Sequence, residues 1–208
     1  MNTKVVVGLV TIMVLSVAFF AGRITRGMQS NEQTKKESRL DNKHMAKAKK
    51  VYIAGGCFWG MEDLFRKQKG ILDTEVGYIG GENENPTYNN HPGHAEGIEI
   101  TFDTTETSFK EILDYFFRIH NPTTVNQQGN DIGSSYRSAI FYQNEEEKQT
   151  AEEVIAIVNQ SGRWGGEVVT TLEPYTKFWP AEDYHQDYLV KNPNGYTCHF
   201  ERFGTFLD

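Results

Sequence analysis

From residue 51 onward the apolar positions switch repeatedly between two periods. Val51 to Ala54 is a short apolar run, which predicts a strand. After Gly55 and Gly56, the residues Phe58, Met61, Leu64 and Phe65 fall at helical spacing, and the pattern predicts a helix to Lys69 stopped by Gly70. Ile71 to Tyr78 reads as a second strand, weakened at Gly77, and the Gly-, Asn- and Pro-rich stretch 80–92 reads as loop. Ile98, Ile100 and Phe102 alternate with Glu99 and Thr101, predicting a strand with one wet face. Ser108-Phe109-Lys110-Glu111 is a capping box, and it opens a helix whose inner face is Phe109, Ile112, Leu113, Phe116 and Ile119. A polar loop from Asn121 to Ser135 leads to a strand at Ser138 to Tyr142.

The order β-α-β-β-α-β predicts an α+β fold, a ferredoxin-like two-layer βαββαβ sandwich. Additional elements follow. Asn144 caps a third helix, with Glu145, Glu146 and Glu147 at its positive end, Val154, Ile155 and Val158 inside, and Gly162 after it. Val168 to Leu172 predicts a further strand. Pro180 suits the first position of a final helix through Leu189, and a coil tail follows Lys191. Tyr184 and Tyr188, one turn apart on that helix, read as a packed pair.

The first fifty residues differ in kind. Val5 to Gly22 is uncharged and lies between Lys4 and Arg23, so residues 1–26 read as an N-terminal hydrophobic anchor or signal segment. Phe19-Phe20-Ala21 is a poor cleavage site, which favours an uncleaved membrane anchor. The basic residues after the stretch argue for a cytoplasmic domain and Lys4 argues for export, so the side of the membrane stays open. Residues 27–50 read as a polar linker, and 51–208 as the catalytic domain. The 208-residue chain has a net charge of −7, but residues 1–50 hold ten Lys/Arg against three Asp/Glu. The acidic remainder would repel phosphate backbones, which excludes nucleic acid as a main partner. The two cysteines form neither a disulfide scaffold nor a CxxC pair.

One of them carries the chemistry. Gly55-Gly56-Cys57-Phe58-Trp59-Gly60 places Cys57 at a predicted helix N-terminus, where orphan N–H groups and the helix dipole favour thiolate. The glycines leave the sulfur approachable, and Phe58 and Trp59 would wall an apolar pocket beside it. The ordinary alternative is a small buried hydrophobe. Three further features stand out. Asn85-Pro86-Thr87-Tyr88 leads through His91 and His94 to Glu96, where a strand begins. Asp131 and Tyr136 flank another loop-to-strand junction. Cys198 lies on the tail. Glu96 could instead be a wet-face residue, Tyr88 and Tyr136 core rings, and Asp131 a turn residue. His91 and His94 lack nearby partners for a metal, so no metal site is expected.

At these residues the chain resembles the peptide methionine sulfoxide reductases of the A type. The segments GCFWG, NPTY with GHAE, QGNDIGSSYRSAIF and YHQDYL with KNPNGY match in the family's order, over roughly residues 51–200. The resemblance implies that Cys57 attacks the sulfur of methionine-S-sulfoxide, free or in oxidised proteins, and so repairs oxidative damage. Phe58 and Trp59 would bind the S-methyl group. Glu96 would give a proton to the sulfoxide oxygen, Tyr88 and Tyr136 would donate hydrogen bonds to it, and Asp131 would help position the site. Cys198 would resolve the sulfenic acid on Cys57 as a disulfide, which thioredoxin or a similar dithiol reduces. No cofactor other than that external reductant is implied, and a monomer suffices. Two rivals remain: another thiol-based peroxide or disulfide oxidoreductase, and a tethered binding module for methionine-rich patches without turnover.

Overall fold

A computed structural model of the chain describes residues 47–207. The expected anchor and nearly all of the expected linker lie outside the described residues. Strand β1 (Ala48–Gly55) enters helix α1 (Phe58–Phe65), followed by strands β2 (Ile71–Ile79) and β3 (Ala95–Asp103), helix α2 (Phe109–Ile119), the two-residue strands β4 (Gln127–Gln128) and β5 (Asp131–Ile132), and strand β6 (Ser138–Tyr142). Helix α3 (Glu145–Ser161), strands β7 (Thr171–Pro174) and β8 (Phe178–Pro180) and the short helix α4 (Tyr188–Lys191) complete it. The main sheet runs β7-β6-β1-β3-β2-β8, antiparallel throughout except for the parallel β6–β7 pair. Its four central strands, in the order β6-β1-β3-β2, have the split βαββαβ connectivity.

Two apolar clusters sandwich this sheet. Val51, Ile53, Ile98, Ile100, Phe102 and Ile140 face Met61 and Phe65 of α1, Leu113 and Phe116 of α2, and Val154 and Val158 of α3. Tyr52, Ala54, Ala139 and Phe141 point the other way and meet Ile79, Phe178 and Tyr175. The capping box at Ser108 is formed in both directions, and Asn144 caps α3 through the Glu147 N–H.

Several expectations are corrected. β1 starts at Ala48, so the end of the polar stretch belongs to the sheet. Helix α1 stops at Phe65 rather than Lys69, and the residues to Gly70 form turns. β3 has no wet face: Glu99 and Thr101 are buried, Glu99 beneath the Lys50 ammonium and against the Tyr52 hydroxyl of β1. The strand expected at 168–172 forms at Thr171–Pro174, where it can pair with β6. Pro180 ends a strand instead of opening a helix. Phe178 to Pro180 adds to the edge of β2, and residues 181–187 form turns closed by hydrogen bonds to β2. A proline at a sheet edge loses no ladder bond. Tyr184 and Tyr188 therefore do not share a helix face, and Tyr188 stacks on Trp59 instead, with ring centroids 3.8 Å apart.

Candidate active site

β1 delivers the chain to Cys57 through two glycines with no space for side chains. Gly56 has φ +105°, and a Cβ there would lie 2.5 Å from Gln128, so only glycine makes this turn. Cys57 then caps α1 with its sulfur nearly enclosed, 5% exposed. The first N–H of the helix, from Phe58, donates to Oε2 of Glu96 at 3.1 Å. β3 carries Glu96 to this point opposite Tyr78 of β2. Glu96 is 2% exposed, and burial raises its carboxyl to about 8 against the opposing pull of the Phe58 N–H, with a smaller upward push from Asp131. At neutral pH it is therefore mostly protonated, a proton donor within a buried site.

Cys57 differs from expectation. The Trp59 N–H favours the thiolate as a helix N-terminus should, but burial dominates and the Glu96 charge adds to it, so the thiol is pushed well above its usual range. An eight-residue helix offsets only part of that desolvation. At rest Cys57 is a neutral thiol. Protonation of Glu96 removes that repulsive charge from beside the thiol.

Phe58 and Trp59 pack among other rings, with support that sequence reasoning missed. Phe58 is buried beside Tyr78 and His185, at centroid distances of 6.0 and 5.1 Å. The Trp59 indole N–H donates to His185 Nδ1 at 3.0 Å, and its ring lies flat on Tyr188. Glu182 accepts from the Tyr78 hydroxyl at 2.8 Å and from the Tyr88 N–H at 3.0 Å, tying the 181–187 turns to the loop before Glu96. The YHQDYL segment thus packs against both rings. Reading it as helix hid that role.

Tyr88 and Tyr136 flank the carboxyl from two loops. Burial raises both phenols, followed by the charge of Glu96, and both also sense Cys57 and Asp131. No hydrogen bond within the described residues engages either hydroxyl, so both are free to donate to a ligand. His91 bridges the Thr87 carbonyl and the Ser135 hydroxyl, while His94 reaches the Asn83 carbonyl. Both rings thus organise the rim.

The tail brings Cys198 to Cys57. Gly129 packs so closely that a Cβ there would lie 3.0 Å from the Cys198 Cβ, and the Cys57 N–H acts on the Cys198 sulfur. Asp131 serves this thiol. Its Oδ2 accepts from Cys198 Sγ at 3.3 Å and from the Tyr196 hydroxyl at 3.0 Å. Burial and then this carboxylate hold the Cys198 thiol up at about 12. The tail is anchored by His199, whose Nε2 meets the Gly55 carbonyl oxygen at 2.8 Å. Sequence reading offered no signal for His199 beyond its place beside the cysteine.

Comparison with other proteins adds to this geometry. Residues 49–204 match the profile of a family described as peptide methionine sulfoxide reductase. A peptide methionine sulfoxide reductase MsrA of Mycobacterium sp. (strain MCS) is 59% identical over 158 residues, 76% of this chain and 92% of that relative. The crystal structure of reduced Mxr1 from Saccharomyces cerevisiae superposes with a TM-score of 0.70 at 37% identity, covering 76% of this chain and 94% of Mxr1. A second structure, of Mxr1 in complex with Trx2, aligns with a TM-score of 0.53 at 27% identity over 76% of this chain and 92% of that one.

Proposed function

The chain belongs to the peptide methionine sulfoxide reductase family, and on that premise we propose a two-thiol cycle in which Cys57 takes the oxygen from methionine-S-sulfoxide. The observation that carries it is the buried Glu96 carboxyl accepting from the first N–H of the helix that Cys57 caps, where burial favours its protonated form at neutral pH. A sulfoxide oxygen leaves poorly until it gains a proton. Glu96 supplies one, and the unengaged hydroxyls of Tyr88 and Tyr136 orient the oxygen. As the oxygen is protonated, Glu96 draws the proton from the Cys57 thiol, and the sulfur attacks. Methionine departs, and Cys57 is left as a sulfenic acid, oxidised by two electrons. Phe58 and Trp59 receive the S-methyl group, which offers only apolar contact. That pocket favours a sulfoxide over a peroxide, and oxidised proteins or free methionine sulfoxide satisfy it alike.

Cys198 then attacks Cys57, water leaves, and a disulfide forms. The Mxr1–Trx2 complex supports a thioredoxin-type dithiol as the reductant that reopens it. Every electron comes from a thiol, so the cycle needs neither metal nor organic cofactor. One chain supplies every group named, which supports a monomer. The apolar stretch Val5–Gly22 supports a membrane tether, testable by where the full chain partitions on cell fractionation.

The test is a single turnover with methionine-S-sulfoxide. Cys57→Ser forms no methionine. Cys198→Ser forms one equivalent and stops, with a sulfenic acid on Cys57 that a dimedone-type probe captures by mass. Equal loss in both variants would refute the division of labour, and an unmodified Cys57 thiol would indicate a binding module.

A further inference from the structure

When Cys198 attacks the sulfenic acid its thiol proton needs an acceptor, and the residue beside it is built to be one. His199 is buried, and its Nε2 faces the Gly55 carbonyl oxygen at 2.8 Å. A carbonyl only accepts, so Nε2 carries the ring proton. Burial lowers the imidazole to about 4, which leaves the ring neutral at pH 7 and Nδ1 with a bare lone pair. That nitrogen lies 3.5 Å from Cys198 Sγ. The ring is seated deliberately close: a Cβ on Gly60 would lie 2.6 Å from Nδ1, and the His199 N–H donates to Thr197 Oγ1 at 3.1 Å.

We propose that His199 is a further catalytic residue of the resolving step, anchored through Nε2 to the Gly55 carbonyl and taking the Cys198 thiol proton at Nδ1 as the disulfide forms. The inference rests on the two-thiol reading above. The Cys198 sulfur gives an electron pair to the Cys57 sulfur, and the S–S bond forms as the S–O bond breaks. Cys198 rises and Cys57 falls by one oxidation level, so no outside oxidant enters. The oxygen leaves with its own hydrogen and the Glu96 proton, as water. The imidazolium and the Glu96 carboxylate then return to their starting states by proton exchange with solvent.

Asp131 is the competing acceptor, 3.3 Å from the same sulfur. Its fixed negative charge opposes a developing thiolate, whereas proton transfer to His199 places a positive charge beside it. The titratable and charged groups around His199 are Asp131 from β5, Arg202 and Tyr196 from the tail, His120 from α2 and the two thiols. Arg202 and burial both disfavour the imidazolium at rest, so the proton moves only as the sulfur is consumed.

Two variants separate base from anchor. His199→Gln keeps an N–H for the Gly55 carbonyl but has no basic nitrogen, and His199→Phe keeps only the ring volume. Rapid-quench single turnovers measure methionine formation and the Cys57–Cys198 disulfide, by mass, in one experiment. In His199→Gln the disulfide step should fall about 10- to 100-fold relative to the methionine step. Its rate should then climb about tenfold per pH unit up to about pH 8 as thiolate replaces the lost base, while the native rate stays flat from about pH 6 until Glu96 loses its proton near 8. A His199→Gln ratio and pH profile equal to native would overturn the proposal. So would a loss in His199→Phe alone, which would leave the histidine only an anchor. Failure of the native protein to form stoichiometric methionine would overturn the two-thiol reading itself, and this step with it.

Discussion

Burial raises both Glu96 and Cys57, and the Glu96 charge raises the Cys57 thiol further. The proposed reduction step uses Glu96 in its protonated form, so the methionine-forming rate should fall as pH rises through about 8. Glu96→Gln removes the donor, and with it that inflection, and should slow the step by about 10²- to 10⁴-fold. A pH–rate profile of single turnovers checks both. The resolving thiol offers a second test. Asp131→Asn removes the carboxylate that holds the Cys198 thiol up, so iodoacetamide should label Cys198 several-fold faster at pH 8 in a Cys57→Ser background. Labelling no faster than in the parent would show that burial alone keeps this sulfur protonated.

Helix α1 is short, and its contribution lies in what surrounds it. Its N-terminus binds Glu96, its first two rings pack on Tyr78, His185 and Tyr188, and the tail packs over Gly60. Gly60→Ala would set a Cβ 2.5 Å from Thr197 Oγ1 and 2.6 Å from His199 Nδ1. The tail must shift, so disulfide formation should slow more than methionine formation, measured by the same rapid-quench assay. Helix α2 provides a contrast remote from the chemistry. Ser108→Ala removes the hydroxyl that accepts from the Glu111 N–H, while the backbone N–H at 108 keeps its bond to the Glu111 carboxylate, and should cost about 1 kcal/mol in urea unfolding with the m-value unchanged.

For the whole molecule, the buried titratable groups set opposing pH dependences. Glu96 has a folded pKa raised to about 8, so its stabilising contribution is complete below its unfolded value and is lost as pH rises towards 8. By pH 7 the loss is on the order of 3 kcal/mol. Glu96→Gln should therefore raise the Tm at pH 8 and flatten its decline between pH 5 and 8. His120 and His199 are lowered to about 3 and 4 by burial. The unfolded chain binds their protons first, so their contribution is present above about pH 6.5 and is lost as pH falls below it. Thermal melts from pH 4 to 9 resolve the two limbs.

Local signals carried most of the architecture. The βαββαβ order, both caps and the inward faces of α2 and α3 were legible because periodicity and capping act within a few residues. So was Cys57 with its aromatic neighbours, since strand, glycine turn, sulfur and rings are contiguous, and the likeness in sequence segments pointed to Glu96, the tyrosines and Cys198. What stayed hidden depends on pairing across the fold. Phe178 to Pro180 became a strand because the edge of β2 was open, and Glu99 was buried beneath Lys50 and against Tyr52 of β1. The thiol's protonation could not be foreseen either. A helix N-terminus is a local feature, whereas desolvation is the sum of everything packed around the sulfur. The resolving cysteine's place beside Cys57, secured by His199 on Gly55, arises from residues 144 positions apart. Sequence spelled out which groups the chemistry would need; folding at long range decided which of them meet, and in what state of charge.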